Sequence, residues 1–322
     1  MTQRIEVTRF GGPEVLTPVS GPEPTAEPGQ AVIAVHAMDV LFLDTLIRSG
    51  RAAQWFPVQP PYVPGTGVAG TVMPGEAGGG GRRVIAPTGQ AGGYAEHVVV
   101  PASRLIAVPD EVDLRDAAAV LHDGATALGL AAATGFRSGE WVLVLGAAGG
   151  MGLLLVQLAR AAGARVAGAA RGPAKRDRIL TAGAEVVADY SDPAWTEEIR
   201  KATGGTGPDV VLDGAGGALG AAAFAITADG GRFSAHGVAG GGFAPVGREE
   251  ARRRGITVLG IEQVQFGPGE HERFAERALR EVAAGRMTPV IGQTFPLARA
   301  ADAHAALENR SAIGKTLLTV GG

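Results

Sequence analysis

No cysteine occurs among the 322 residues, and that absence excludes disulfides, iron–sulfur clusters, thiolate zinc sites and a cysteine nucleophile together. Lysine is scarce too. Lys175, Lys201 and Lys315 are the only three, so the other 26 of the 29 basic residues are arginine; with abundant Ala and Gly this bias suggests a GC-rich genome. Neither sign of charge dominates, because 29 basic against 32 acidic residues leave −3. The basic residues are scattered, which excludes a phosphate-backbone footprint and makes nucleic acid an unexpected partner. No apolar run is long enough to span a bilayer: the longest, residues 141–156, has 16 positions and four internal glycines. The start MTQRIEVTRFGG lacks the apolar core of a signal peptide, so a cytoplasmic protein without a membrane partner is expected.

What is present is glycine, proline and apolar residues: Gly 51, Pro 20 and 46% hydrophobic. Without a Gly-X-Y period this is a globular composition rich in turns, and the length fits about two domains. Residues 1–117 read as a β-rich module. Short apolar runs at 4–7, 30–36, 68–73, 83–86, 95–100 and 105–108 are separated by Gly and Pro clusters, with one helical turn at 41–48. The five glycines within 75–81 read as a hairpin tip. From residue 114 the pattern becomes Ala-rich helix, at 115–121 and 124–133. Six strands then alternate with helices, at 141–145, 165–169, 185–188, 209–213, 232–236 and 256–261. This is the pattern of a doubly wound parallel sheet, an α/β Rossmann-type fold, over residues 118–263. The tail, residues 264–322, reads as helix 270–284, strand 289–295, helix 298–308 and a last strand 315–320 that returns to the first module.

The strand at 141–145 runs through Gly146-Ala147-Ala148-Gly149-Gly150-Met151-Gly152 into an apolar helix, giving Ala-x-Gly-x-x-Gly in a strand–turn–helix context. Gly149 lets backbone approach a pyrophosphate, Gly152 lets helix and strand pack closely, and the N–H groups of Gly150 and Met151 face the phosphates. The second strand ends in Gly168-Ala169-Ala170-Arg171-Gly172-Pro173-Ala174-Lys175, with no carboxylate before Asp177. A carboxylate there would take the ribose hydroxyls of NAD; Arg171 and Lys175 instead suit a 2′-phosphate, so NADPH is the expected cofactor. Two more glycine turns, at Asp213-Gly214 and His236-Gly237, follow the fourth and fifth strands and are expected to flank the nicotinamide half. Asp213 reads as a turn cap.

Metal chemistry is not expected. The histidines His36, His97, His122, His236, His271 and His304 never stand at a ligand spacing.

These features together resemble the medium-chain dehydrogenase/reductase superfamily, in its zinc-independent quinone oxidoreductase (zeta-crystallin-like) branch, over nearly the whole chain. The resemblance is carried by Phe10-Gly11-Gly12-Pro13-Glu14-Val15-Leu16, by residues 42–50, by Pro64-Gly65-Thr66-Gly67-Val68-Ala69-Gly70, by Gly93-Tyr94-Ala95-Glu96, by Gly124-Ala125-Thr126-Ala127 and by Ile313-Gly314-Lys315. Thr66 stands where zinc alcohol dehydrogenases carry a zinc-binding His. The resemblance implies a GroES-like β-rich domain built from residues 1–117 and 264–322 around the Rossmann domain. It implies hydride transfer from NADPH to a quinone or an α,β-unsaturated carbonyl, and a homodimer through the edge strand 256–261. It places Lys175 on the 2′-phosphate, Tyr190 against the adenosine end, Thr126 near the nicotinamide, and Lys315 with the cofactor set.

This chain departs from the branch at Leu41, Leu46 and Gly67, where Asn, Tyr and an acidic residue are usual. Leu41, Phe42, Leu46 and Phe243 are then expected to make an apolar substrate pocket, to which Trp55 and Phe266 could add. For the proton that must accompany the hydride, His122, Tyr94, Asp123 and His236 are candidates by placement. Thr126, His122 and Tyr94 form the expected catalytic set, but no side chain is clearly the acid, and the expectation is that the protein supplies orientation and an apolar slot while solvent delivers the proton. Two alternatives accompany this reading: a pathway-specific enoyl reductase of secondary metabolism, and a non-catalytic NADPH-binding protein.

Overall fold

Period-two apolar patterns build the strands of the first part of the chain, and helices appear where the spacing lengthens. Thr2–Val7 (β1) pairs antiparallel with Leu16–Gly21 (β2). Gln30–Val40 (β3) buries Ala31, Ile33 and Val35 on alternate positions and leads into Phe42–Arg48 (α1). Gly67–Val72 (β4), Arg83–Pro87 (β5), His97–Pro101 (β6) and Ile106–Ala107 (β7) follow, then Leu114–Leu121 (α2) and Asp123–Thr134 (α3). The alternating part runs Trp141–Leu145 (β8), Gly150–Ala161 (α4), Arg165–Ala170 (β9), Arg176–Thr181 (α5), Val186–Asp189 (β10) and Trp195–Ala202 (α6). It continues through Val210–Asp213 (β11), Gly217–Ile226 (α7), Arg232–Ala235 (β12), Arg248–Arg253 (α8) and Thr257–Leu259 (β13). Glu270–Ala283 (α9), Ile291–Pro296 (β14), Ala300–Glu308 (α10) and Lys315–Thr319 (β15) complete the chain. This computed structural model describes residues 1–75, 80–261, 266–267 and 269–321. Most of the expected hairpin tip at 75–81 lies outside the described residues.

The chain divides into two compact units, residues 1–125 with 275–322 and residues 126–274. The boundary expected at 117/118 falls inside α2. That helix buries Ala117, Ala118, Ala119, Val120 and Leu121 and packs on β3 and β4, so its small side chains tie it to the first unit. The boundary expected at 263/264 falls on residues that are not described.

In the first unit a seven-stranded sheet has the order β14-β15-β3-β4-β5-β7, with β6 also on β3. Two strands share one edge of the long β3. Gln30 to Ala34 pair with β6, and Ala37 to Val40 pair with β15, the C-terminal strand expected to return here. Ile5, Val7, Ile33, Val68, Val84, Val98 and Leu318 are among the side chains that fill this unit's core. The second unit is a six-stranded, wholly parallel sheet of order β10-β9-β8-β11-β12-β13. In sequence terms this is 3-2-1-4-5-6, the order of a dinucleotide-binding fold, with its reversal between β8 and β11. Trp141–Leu145 is buried along its whole length, as a central parallel strand covered on both faces must be.

Candidate functional site

In an open parallel sheet a ligand lies beyond the C-terminal strand ends, where the order reverses. Here β8 ends at Leu145, Gly146 opens the turn, and the turn enters α4 with Gly149 as its extended N-cap residue. The first-turn N–H groups, those of Gly150, Met151 and Gly152, have no carbonyl one turn earlier within the helix, which makes them donors for an anion. A Cβ on Gly152 would stand 2.3 Å from the Gly146 carbonyl oxygen and 2.8 Å from Ala147 Cα, so only a bare backbone lets α4 sit this close to the turn.

The next two strand ends meet. Gly172 N–H donates to Asp189 Oδ1 at 3.0 Å, tying the loop after β9 to the end of β10. The N–H groups of Gly172 and Ser191 hold the Asp189 carboxyl below its ordinary range. Arg171, exposed, has its guanidinium 5.9 Å from the centroid of the Tyr190 ring, which meets Trp195 edge-on. Lys175, half-buried, closes the short 3-10 turn Pro173–Lys175. The two cations expected at a 2′-phosphate and the tyrosine expected against the adenosine end thus come from neighbouring strand ends, the charges suiting the phosphate and the flat ring the adenosine.

The two other glycine turns interlock. Asp213 is the turn cap it was expected to be, its Oδ1 accepting the N–H groups of Ala215 at 3.0 Å and Gly216 at 2.7 Å. The N–H groups of His236 and Gly237 both donate to the Asp213 carbonyl, and Gly240 N–H to Ala215 O. Gly214 follows Asp213 directly and lies under the His236 ring, 3.6 Å from Nε2 when a Cβ is built on it. Burial pushes His236 down to about 4, so it is neutral at pH 7 and cannot supply an acidic proton there. In this unit Thr126 lies half-buried in the first turn of α3, and Phe243 is 39% exposed on the loop after β12.

The first unit contains a buried polar cluster that composition and spacing did not single out. Asp39 on β3 has its Oδ2 2.7 Å from His122 Nδ1 and 3.7 Å from Lys315 Nζ, and that ammonium also lies 3.2 Å from Asp123 Oδ1. Asp39 and Lys315 are almost wholly buried, whereas the His122 side chain keeps 20% of its surface exposed. Lys315 was expected with the cofactor. In the structure its ammonium is paired with two carboxylates inside this unit. Burial pulls the Lys315 pKa down, and Asp123 and Asp39 more than restore it, so the net direction is up.

Beside it stands a second buried group. Asp44 Oδ2 accepts the N–H of Leu41 at 2.8 Å, at the start of α1, and the hydroxyl of Tyr94 at 3.2 Å. Tyr94 also lies 3.0 Å from His304 Nε2, and Arg48 pairs with Glu308. Burial, more than the Asp39 charge, pushes Asp44 up to about 7, and burial with the nearby Arg48 charge takes His304 down to about 3. Tyr94 is wholly buried and its pKa is driven well above 10, first by burial and then by the Asp44 charge. As placed, it is part of the core, with its hydroxyl between Asp44 and His304 and no exposed surface. Leu41, Phe42 and Leu46 are half-buried at and along α1.

Sequence reasoning missed Asp39, Asp44, Arg48, His304 and Glu308. A signal was available: Asp39 stands between Met38 and Val40 near the end of one strand and Lys315 opens another that holds no other charge, and a buried charge needs a partner. Among the described residues no three His, Asp or Glu side chains gather as metal ligands would, and no helix is long and apolar enough to cross a membrane.

A family model for a zinc-binding dehydrogenase matches residues 150–284, and one for an alcohol dehydrogenase GroES-like domain matches residues 27–110. A quinone oxidoreductase of Sus scrofa is 31% identical over 98% of this chain and 96% of its own. A 2-haloacrylate reductase of a Burkholderia species is 31% identical over 99% of each chain. Among solved structures, the Escherichia coli quinone oxidoreductase complexed with NADPH superposes with a TM-score of 0.89 at 27% identity, over 99% of this chain and 100% of that one.

Proposed function

Because the chain belongs to the quinone oxidoreductase branch of the medium-chain dehydrogenase/reductase superfamily, we propose that this oxidoreductase reduces a quinone or another α,β-unsaturated carbonyl with NADPH, without zinc. The observation that carries the reading is the end of β9, where Arg171 and Lys175 stand in place of a carboxylate and Tyr190 closes in from the next strand end. The N–H groups of Gly150 to Gly152 would hold the pyrophosphate with Gly149 beneath it, Arg171 and Lys175 the 2′-phosphate, and Tyr190 the adenosine end. Gly214, His236 and Gly237 would flank the nicotinamide half. Bound NADPH supplies a hydride to the acceptor. The Leu41, Phe42 and Leu46 side chains at α1 favour an apolar acceptor, and the lack of Cys together with Thr66 at the former ligand position supports a metal-free reaction. A cytoplasmic homodimer joined through β13 belongs to the same proposal. That strand lies at the open edge of the parallel sheet with Val258 37% exposed, and sedimentation velocity reads the assembly directly.

The deciding experiment follows NADPH consumption in chelator-treated buffer across 1,4-quinones, alkyl enones, 2-haloacrylate and enoyl thioesters. Turnover of a quinone or an enone is expected. Turnover of thioesters alone would favour a pathway-specific enoyl reductase, and tight NADPH binding with no turnover would favour a non-catalytic protein. The cofactor assignment has its own check. Arg171→Ala should raise the Kd for NADPH at least tenfold, or about 1.4 kcal/mol, while the Kd for NADH stays within twofold. A proportional loss for both cofactors would refute the assignment.

A further inference from the structure

The His122–Asp39 pair has the geometry of a built proton donor. Asp39 sits on β3 opposite Leu317 of β15, and its side chain is held inside the first unit with no exposed surface. Its Oδ2 lies 2.7 Å from Nδ1 of His122, so one ring nitrogen is fixed and the ring plane is set. On the other side stands Gly67 of β4. A Cβ there would lie 2.7 Å from His122 Cε1, 2.9 Å from Asp39 Oδ1 and 2.5 Å from Leu121 Cδ2. The imidazole and the carboxylate are therefore packed on bare backbone, in space that any other residue at position 67 would take.

Among the described residues, charges face this pair from β3 with Asp39 itself, from β15 with Lys315, from α3 with Asp123 and from α1 with Asp44, and β4 brings Gly67 against it. Below about pH 7, where Asp44 holds its proton, the two carboxylates Asp39 and Asp123 against the one ammonium of Lys315 leave a single negative charge, which a protonated His122 cancels. Burial pulls the His122 pKa down, but the charge and hydrogen bond of Asp39 outweigh it, and the net direction is up. Within this cluster the His122 side chain keeps 20% of its surface accessible and that of Asp123 15%, whereas Asp39 and Lys315 are buried. Tyr94, the other aromatic candidate, has no exposed surface.

We propose that His122 is the general acid of the reduction, with Asp39 as its positioning residue and Gly67 as the space that admits the pair. The proposal rests on the reductase reading above. The acceptor gains two electrons with the hydride. Negative charge develops on its carbonyl oxygen, and the N–H bond at His122 Nε2 breaks as an O–H bond forms there. His122 is left neutral, its Nδ1–H still donating to Asp39 Oδ2, and water returns the proton to Nε2. The sum is acceptor plus NADPH plus one proton to reduced acceptor plus NADP+.

Two measurements test this. The first is a 15N NMR titration of the imidazoles in protein free of cofactor, with His122 assigned by its loss in His122→Gln. The His122 midpoint should lie above the ordinary 6.5 and fall by more than one pH unit in Asp39→Asn. The second is kcat against pH at saturating NADPH with a 1,4-quinone. Wild-type kcat should decline above the NMR midpoint. His122→Gln should lower kcat about 100-fold with the Kd for NADPH within twofold, and Gly67→Ala, which keeps both titrating groups, should lower it at least tenfold. In Asp39→Asn the decline should move to lower pH, which a merely structural role would not produce. A His122→Gln kcat within threefold of wild type, or a wild-type kcat flat through the NMR midpoint, overturns the proposal alone; the wild-type profile requires no variant to fold. A wild-type protein that binds NADPH yet reduces nothing across the acceptor panel overturns the reductase reading, and this proposal with it.

Discussion

Asp44→Asn is expected to be close to wild type in stability near pH 4 and more stable by roughly 4 kcal/mol at pH 8. In the unfolded chain the Asp44 carboxyl loses its proton near 3.8, whereas in the folded protein burial holds that proton up to about 7. Between those values the native state binds a proton that the unfolded state has released. Stability therefore falls as pH rises through the window and levels off above it. At about 1.4 kcal/mol per pH unit the interval amounts to the roughly 4 kcal/mol stated. Asparagine has the same shape, and its amide oxygen can accept the Leu41 N–H and the Tyr94 hydroxyl as Asp44 Oδ2 does. It carries no charge, so it escapes the penalty. Urea unfolding of both proteins at pH 4, 6 and 8 measures the divergence; stability curves that run parallel would show that Asp44 does not titrate across this window. The direction is informative because a salt-bridged carboxylate replaced by its amide does the opposite, losing stability at high pH.

The parts of the fold that were legible in sequence are those specified by local periodicity. The strands β8 to β13 appear within one or two residues of their expected limits, except that β13 is shorter, because a strand buried on both faces is an uninterrupted apolar run bounded by turn residues. β2 was missed: Leu16–Gly21 carries Pro18 and exposed Thr17, so it has neither the alternation nor the composition of a strand, and tertiary pairing with β1 alone makes it one. The domain limit was misplaced for a similar reason. α2 is as Ala-rich as the helices that follow it, and only its packing on β3 and β4 assigns it to the first unit.

The same distinction separates the two sets of candidate residues, one within each unit. The phosphate turn is seven consecutive residues, so its spacing is written in the chain. The His122 cluster is assembled from residues 39, 67, 122, 123 and 315, and His122 and Asp39 are 83 positions apart. No spacing rule connects them. What the sequence does carry is the oddity of each alone: a carboxylate near the end of an apolar strand, a lysine opening another, and a glycine at 67 whose meaning depends on what packs above it. The reading of Leu41, Leu46 and Gly67 as lost polar groups was therefore incomplete, since the glycine is what makes room for an imidazole and a carboxylate.

Gly152→Ala is expected to weaken NADPH binding about 100-fold and to lower stability. Helix propensity alone would predict the reverse, because alanine in a helix is favoured over glycine by about 1 kcal/mol. The added Cβ would meet the Gly146 carbonyl oxygen at 2.3 Å and Ala147 Cα at 2.8 Å, which are backbone atoms with no rotamer to change. α4 would have to move away from the turn, at a cost of roughly 1–3 kcal/mol for overpacking, and the first-turn N–H groups would move with it. A 100-fold loss corresponds to about 2.7 kcal/mol, within reach of a displaced set of phosphate donors. Gly149→Ala separates packing from ligand approach. At φ −76 an alanine is unstrained, and its Cβ would meet only the Gly146 oxygen, at 3.4 Å, so it should melt like wild type while still binding NADPH less tightly. Fluorescence titration with NADPH and thermal unfolding of both variants read the two effects independently. A Gly152→Ala protein that melts with wild type and binds NADPH within threefold of it would mean that close packing of α4 on the turn does not position the phosphate donors.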